Sequence, residues 1–133
     1  MFIRLATHED YCYIAHALAR KAIDYNRPSQ AKADIAAGRL YVLIDEGQII
    51  AQCALVEETA YGYTALKRML VYRKQNCGKR AMGKFIEFFL QFGCPLGATP
   101  WADNAQTKHI LQKYGFEYQY TFAEKYEFFL KNS

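Results

Sequence analysis

The chain has 133 residues, of which 52% are hydrophobic and 16% aromatic, and its formal net charge is +4. This length fits one domain with a substantial core, and the apolar content excludes a disordered chain. The charge is moderate, and its cations are spread along the chain except between Lys67 and Lys84, which argues against a large nucleic-acid footprint.

The N-terminal segment lacks the unbroken apolar run of a signal peptide, and no other run reaches membrane-spanning length. The cysteines are far apart, with no C-x-x-C pair and no nearby histidine, which indicates neither a zinc site nor a disulfide framework. They are Cys12, Cys53, Cys77 and Cys94. We therefore expect a soluble cytoplasmic protein that holds no metal.

The first half of the chain predicts a strand, two helices and a hairpin. "FIRLAT" alternates like a short strand, and Thr7 with Asp10 forms the capping signal of a first helix. A second helix is predicted to begin at Pro28 or Ser29 and to stop at Gly38. "RLYVLI" and "QIIAQCALV" resemble strands, and the intervening "DEGQ" is typical of a hairpin turn.

The second half begins with the strand "YTALKRMLVY" and a long apolar helix from Lys79. The polar residues of this helix fall on one narrow stripe. They are Arg80, Lys84, Glu87 and Gln91. "PLGATPW" follows as a short strand, then a helix capped by Asp103 or Asn104 that stops at Gly115. "FEYQYTF" and "KYEFFL" predict two final antiparallel strands.

The predicted order is β-α-α-β-β-β-α-β-α-β-β, which indicates one α/β domain over residues 1–133 with a mixed sheet. Its most informative stretch is "VYRKQNCGKRAMGKF", residues 71–85, where a strand ends in a cationic loop before a helix. A helix N-terminus offers unpaired N–H groups to an anion, and Gly78 would let the backbone approach it closely. The junction therefore predicts a phosphate site.

Two motifs give the chain a family resemblance. Gln75-x-x-Gly78-x-Arg80 resembles the Q/R-x-x-G-x-G/A acetyl-CoA signature of the GNAT superfamily, the Gcn5-related N-acetyltransferases. "ADNAQTKHILQKYGFE", which contains Asn104 and a Gly-Phe pair, resembles the closing motif of that family. The resemblance covers nearly the whole chain and implies a central, mostly antiparallel mixed sheet flanked by about four helices.

The resemblance also implies acetyl-CoA as the acyl donor, without a metal. The backbone of Met69, Leu70 and Val71 would contact the pantetheine arm, and the N–H of Leu70 or Val71 would hold the thioester carbonyl. The pyrophosphate would lie on a loop shared with the helix start, and Asn104 is placed in the cofactor site. The loop residues are Gln75, Asn76, Cys77, Gly78, Lys79 and Arg80.

The chain departs from the family pattern at Lys79, where an apolar residue is common, and at two further positions. Arg80 stands where glycine or alanine is usual, so that it either clamps or crowds the pyrophosphate. Leu111 stands where many relatives carry the tyrosine that protonates the thiolate, and leucine cannot do so. Tyr114, one turn later on the same helix face, is either a replacement acid or a core residue.

The strand "ALKRML" contains no carboxylate that would act as a general base, which leaves Glu57 or Glu58 at the end of the preceding strand. Because they are adjacent, at most one faces the cleft, and both are otherwise solvated strand-end residues. Lys67 and Arg68 have the same geometry. One of them is expected to open onto the cleft and to favour an acceptor with negative charge near its amine.

Aromatic residues leave further alternatives open. Trp101 is expected in the core, with a substrate wall as the other interpretation. Tyr118, Tyr120 and Tyr126 alternate as sheet residues do, and they are also candidates for an acceptor pocket or a dimer face. Cys77 is interpreted as a small loop residue rather than a reactive thiol, since no histidine or acid lies near it in sequence.

The leading functional hypothesis is an acetyl-CoA-dependent N-acetyltransferase that transfers the acetyl group directly to a primary amine. The acceptor would be a small molecule, a protein lysine or a protein N-terminus, and the enzyme a possible homodimer. The alternative is a catalytically silent GNAT-fold module that binds CoA or a protein partner. A nucleic-acid binder that uses the basic cluster between Lys67 and Lys84 is a third hypothesis.

Overall fold

The computed structural model describes residues 1–21, 27–72 and 78–132. The strands are β1 (Phe2–Leu5), β2 (Leu40–Asp45), β3 (Gln48–Glu58), β4 (Tyr63–Val71), β5 (Leu96–Ala98), β6 (Glu117–Phe122) and β7 (Tyr126–Lys131). The α-helices are α1 (Tyr11–Lys21), α2 (Pro28–Ala36), α3 (Gly78–Leu90) and α4 (Ala105–Lys113). A short 3-10 turn at His8–Asp10 precedes α1. The predicted order of elements is confirmed.

The seven strands form one sheet in the order β1-β2-β3-β4-β5-β7-β6. β1 pairs with β2, β2 with β3, β5 with β7 and β6 with β7, and each of these pairs is antiparallel. β4 and β5 are parallel, with a register that runs from Thr64–Leu96 to Leu66–Ala98. The predicted mixed, mostly antiparallel α/β fold is therefore confirmed.

One compact unit comprises Met1–Leu55 and Arg68–Ala81. Its core holds apolar residues of α1 and α2 against β2 and β3, including Ile14, Leu18, Ile35, Leu40 and Val42. The hairpin between β2 and β3 turns through Glu46 and Gly47, whose φ angles are 50° and 76°. Two left-handed residues suit the twist of a tight hairpin, as the "DEGQ" stretch predicted.

The start of α1 in this unit is fixed by charged hydrogen bonds. The Thr7 N–H donates to Asp10 Oδ2 at 2.8 Å, and the Arg4 guanidinium donates to both oxygens of the same carboxylate at 2.7 and 3.0 Å. The hydrogen bonds from Arg4 hold the pKa of Asp10 below its usual value. The capping role predicted for Thr7 and Asp10 is confirmed, with the 3-10 turn as the first element that they cap.

The second compact unit comprises Val56–Lys67 and the chain from Met82 onward. Its buried residues include Phe85, Phe89, Leu111 and Phe129, from α3, α4 and β7. The predicted polar stripe is exposed at all four of its positions, of which Gln91 lies one residue beyond the end of α3. The core position expected for Trp101 is wrong, because its side chain is 43% exposed beside the ring of Tyr126.

Candidate active site

A residue in a left-handed conformation interrupts β4. Arg68 has a φ angle of 53°, and a non-glycine residue in this region costs roughly 1–3 kcal/mol. Such strain persists only where the surrounding structure holds it in place. Met69, Leu70 and Val71 follow directly and are half-buried. The irregular step therefore lies immediately before the segment predicted to contact pantetheine.

A buried carboxylate holds the Arg68 side chain. Asp34 of α2 is fully buried, and it accepts from Arg68 Nε at 2.6 Å and from Arg68 Nη2 at 2.8 Å. Arg39 Nε donates to the same carboxylate at 2.7 Å. A buried carboxylate is tolerated only with such partners, and the two-pronged guanidinium contact fixes orientation as well as charge.

The side chain of Gln52 bonds to residues on both sides of Met69–Val71. Its Nε2 donates to the Arg68 carbonyl oxygen at 3.1 Å, and its Oε1 accepts from the Tyr72 hydroxyl. Gln52 and Tyr72 are both buried, and this burial raises the pKa of the Tyr72 hydroxyl. The Tyr72 N–H also donates to the Ile50 carbonyl at 2.8 Å. The three-residue segment is thus anchored at each end.

The beginning of α3 carries part of the predicted pyrophosphate site. The helix begins at Gly78 and includes Lys79 and Arg80. Arg80 is exposed, whereas the next residue, Ala81, is fully buried. Exposure of Arg80 fits the prediction that its side chain lies on the polar stripe. The predicted loop residues Gln75, Asn76 and Cys77 lie outside the described part of the chain.

Tyr114, the predicted thiolate acid, caps the C-terminus of α4 and reaches α3 with its hydroxyl. Its Oη donates to Glu87 Oε1 at 2.9 Å, and this hydrogen bond raises the pKa of Tyr114. A Cβ placed on Gly83 would lie 2.8 Å from the same Oη. With alanine at position 83, the Tyr114 hydroxyl would therefore have to move away from this position. Leu111, one turn earlier, is fully buried.

The two candidate bases differ in their surroundings. Glu57 is exposed, whereas Glu58 is half-buried and its Oε1 lies 3.4 Å from Lys67 Nζ. Burial raises the pKa of Tyr63, and the nearby charge of Glu58 adds to this shift. Of the two carboxylates, Glu58 is therefore the one placed beside Lys67 and Tyr63.

Tyr63 and Lys67 line an aromatic pocket of about 350 Å³ in the second unit. Its other lining residues are Ala65, Gly97, Ala98, Thr99, Phe122 and Tyr126. The Tyr63 ring lies over Gly97, where a Cβ would come within 2.6 Å of two ring atoms. The pocket lining therefore combines aromatic rings, small residues and the Lys67 side chain, whose ammonium pairs with Glu58.

A second cavity of about 430 Å³ in the same unit is lined by residues of α4 and of the β6–β7 hairpin. Tyr118 and Lys108 belong to this cavity. The Lys108 ammonium donates to the Ala102 carbonyl at 2.6 Å and to Glu127 Oε2 at 3.3 Å. The aromatic residues proposed for an acceptor pocket are thus divided, with Tyr126 in the aromatic pocket and Tyr118 in this cavity.

Asn104, the last predicted cofactor residue, is the N-cap of α4. Its Oδ1 accepts from the Thr107 N–H at 3.1 Å, which confirms the predicted capping role. Within residues 1–21, 27–72 and 78–132, no group of three or more histidine, cysteine, aspartate or glutamate residues could hold a metal ion. In the same ranges, no helix is long and apolar enough to cross a membrane.

No family model matches the sequence, and no curated protein matches it either. Solved structures do match over their whole length. A GNAT-family acetyltransferase from Streptococcus agalactiae has a TM-score of 0.81 at 19% identity, covering 99% of this chain and 95% of its own. One from Bacillus cereus has a TM-score of 0.79 at 14% identity, covering 99% and 96%. The chain has the GNAT acetyltransferase fold.

A third similar structure is that of an enzyme whose name states its acceptor. The ribosomal-protein-alanine N-acetyltransferase from Brucella melitensis has a TM-score of 0.71 at 19% identity, with 100% of both chains covered. Identities this low carry the fold and leave the reaction and the acceptor to be argued from the residues of this chain.

The structure places the predicted GNAT site residues in two groups. Met69–Val71 and Gly78–Arg80 belong to the first unit, with the Arg68 network beside them. Glu57, Glu58, Asn104 and Tyr114 belong to the second. Of the two residues expected to open onto the cleft, Lys67 lines the aromatic pocket, whereas Arg68 is bound by Asp34.

Several residues around these positions were not predicted from the sequence. They are Asp34, Gln52, Tyr72, Gly83 and Glu87. Gln52 had a visible signal, because it is the single polar residue within the apolar run "IIAQCALV". Asp34 had a similar one among the alanines of α2. A lone polar residue on an apolar element must find a buried partner, although the sequence does not say which one.

Proposed function

We propose that this protein is an N-acetyltransferase that moves the acetyl group of acetyl-CoA directly to a primary amine. The observation that carries the proposal is the whole-length similarity to GNAT-fold acetyltransferases. The Gln75-to-Arg80 motif and the short parallel pairing of β4 with β5 support it. β4 continues to Val71, beyond its last described pair with β5 at Leu66.

Acetyl-CoA would bind along the end of β4 and the start of α3. The backbone of Met69, Leu70 and Val71 would hold the pantetheine arm, as a further strand does at an open sheet position. The loop from Gln75 to Arg80, with Asn104, would complete the cofactor site. An N-terminal helix end favours the pyrophosphate because its N–H groups and its dipole face the anion.

The reaction needs stabilisation of one developing negative charge and two proton transfers. The amine nitrogen attacks the thioester carbonyl carbon, a C–N bond forms, and the C–S bond breaks with its electron pair leaving on sulfur. A backbone N–H of Leu70 or Val71 would stabilise the oxyanion. The amine must lose a proton, and the thiolate must gain one.

Glu58 and Tyr114 are our choices for the two proton transfers. Glu58 lies beside Tyr63 and Lys67 of the aromatic pocket, whereas Glu57 is exposed, so Glu58 would receive the amine proton. Tyr114 would protonate the thiolate, because a tyrosine hydroxyl is protonated at neutral pH and this one already donates its proton in a hydrogen bond to Glu87. We place the acceptor in the aromatic pocket and the enzyme in the cytoplasm.

A silent CoA-binding module is the second candidate, favoured by Leu111 at the usual acid position and by Arg80 in the motif. Calorimetry with acetyl-CoA, followed by thiol release with a panel of small amines, peptides and proteins, separates the two. Binding and release with at least one acceptor support the transferase, and loss of release in Glu58→Gln would assign the base. Binding without release supports the module, and no binding at millimolar acetyl-CoA contradicts both the transferase and a CoA-binding role.

A further inference from the structure

The left-handed step in β4 has a dedicated set of partners. Arg68 is the one residue of β4 with a positive φ angle, and all nine residues of this strand are described. Its guanidinium is held by Asp34 and its carbonyl by Gln52, so side chain and backbone are fixed separately. Strain that is held from two directions marks a backbone shape that the protein maintains.

A left-handed residue changes the direction of the strand that follows it. In a regular strand, successive N–H groups point alternately to the two neighbours, and a left-handed residue interrupts this alternation. The conformation of Arg68 therefore decides to which side of β4 each N–H of Met69, Leu70 and Val71 points. Gln52 also bonds to Tyr72, so the same side chain fixes the exit from the segment.

We propose that Arg68 and Gln52 are positioning residues that set which backbone N–H groups of Met69–Val71 face the acyl-CoA thioester. The inference rests on the proposed function, because it takes the ligand of this segment to be acetyl-CoA. Asp34 serves the same end by holding the guanidinium. The essential feature is the left-handed backbone conformation of Arg68, which the buried ion pair between Arg68 and Asp34 maintains.

This distinction separates a positioning role from a merely structural one. Arg68→Gly and Arg68→Ala remove the same guanidinium and break the same ion pair. Asp34 keeps the Arg39 contact and a 3.3 Å contact from Gln30 in both variants, so neither leaves the buried carboxylate without a partner. Glycine adopts the left-handed region freely, whereas alanine favours a regular strand.

The test compares acetyl transfer and CoA binding in the wild-type, Arg68→Gly and Arg68→Ala proteins, with thermal melting as the measure of folding. Positioning predicts that Arg68→Ala loses about 10- to 100-fold in kcat/KM while Arg68→Gly stays within about threefold of wild type. Gln52→Met keeps the length of the side chain but removes its hydrogen-bond donor. This variant should also lose kcat/KM while it remains folded.

A purely structural ion pair predicts equal losses in the glycine and alanine variants, together with equal falls in melting temperature. That result overturns the inference and leaves the transferase intact. A wild-type protein that binds neither acetyl-CoA nor CoA overturns the proposed function and the inference together. If either variant fails to fold, Gln52→Met decides, because unchanged kcat/KM in that folded variant contradicts the role of Gln52.

Discussion

The hydroxyl of Tyr114 lies 2.9 Å from Glu87 Oε1, and it reaches that carboxylate across the backbone of Gly83. The hydrogen bond joins the end of α4 to the polar stripe of α3. The carboxylate also raises the pKa of the tyrosine, whose hydroxyl is protonated at neutral pH even at its ordinary pKa. A proton donor for a thiolate needs this protonated form at neutral pH.

Replacement of Tyr114 by phenylalanine tests the proposed acid. We expect kcat for acetyl transfer to fall by about 100-fold, with little change in the Kd of CoA, since the proton is needed only as sulfur leaves. Tyr118→Phe is the matched control, because its hydroxyl bonds to Thr121 at 2.8 Å in the same unit. Equal kcat in the Tyr114→Phe and wild-type proteins would show that Tyr114 has a structural role and is not the acid.

Gly83→Ala should also lower kcat for acetyl transfer, although Tyr114 is still present. The added methyl would meet Tyr114 Oη at 2.8 Å, and the half-exposed tyrosine end should swing away from Glu87. Because alanine stabilises a helix interior by about 1 kcal/mol over glycine, the free energy of unfolding should not fall. A lower kcat with unchanged stability is the expected result, and a Gly83→Ala/Tyr114→Phe double variant should lose no more than Tyr114→Phe.

Arg80→Ala tests how the altered motif position meets the pyrophosphate. Arg80 is exposed in the first turn of α3, and we expect it to contact a phosphate oxygen. Loss of one charge-assisted contact should weaken CoA binding by about 3- to 10-fold in calorimetry. Lys84→Ala, one turn further along the same exposed stripe, is the comparison and should change the Kd less. Tighter binding by Arg80→Ala would mean that the arginine crowds the ligand, and would favour the silent module.

Phe122→Ala tests the aromatic pocket as the acceptor site. Phe122 is 40% exposed and lines the pocket, so its removal should raise KM for the best acceptor of the panel and leave KM for acetyl-CoA unchanged. We expect about a 10-fold rise, as for the loss of one aromatic contact. Tyr118→Ala removes a similarly exposed ring from the second cavity. If that variant alone raises the acceptor KM, the acceptor belongs to the second cavity.

Asp10→Asn tests the capping carboxylate through the pH dependence of stability. Arg4 lowers the pKa of Asp10, so the contribution of this carboxylate is complete above the ordinary value of about 3.9 and is lost as pH falls through the lowered pKa. The free energy of unfolding of wild type should exceed that of Asp10→Asn by about 1 kcal/mol at neutral pH. Urea unfolding at successively lower pH should show this difference shrinking, and a constant difference would exclude the pair as its source.

The order of elements could be predicted from the sequence because each signal is local. The alternation of "FIRLAT", the "DEGQ" turn, the Asn104 cap and the polar stripe of α3 each depend on residues within a few positions of one another. Two motifs in the expected places then indicated the fold. The resemblance carried by those motifs implied Met69–Val71 and the Gln75-to-Arg80 loop as the candidate cofactor site.

Only the tertiary structure decided which side chains meet across the sequence. Asp34 and Arg68 are 34 positions apart, and Glu87 and Tyr114 are 27 apart. No local pattern specifies such partners, because burial requires that a polar group be paired without naming the pair. The left-handed φ of Arg68 is likewise invisible in "ALKRML", since its cost is offset by contacts from α2 and β3. The core position predicted for Trp101 was wrong for the same reason, because the exposure of its side chain depends on what the fold places around it.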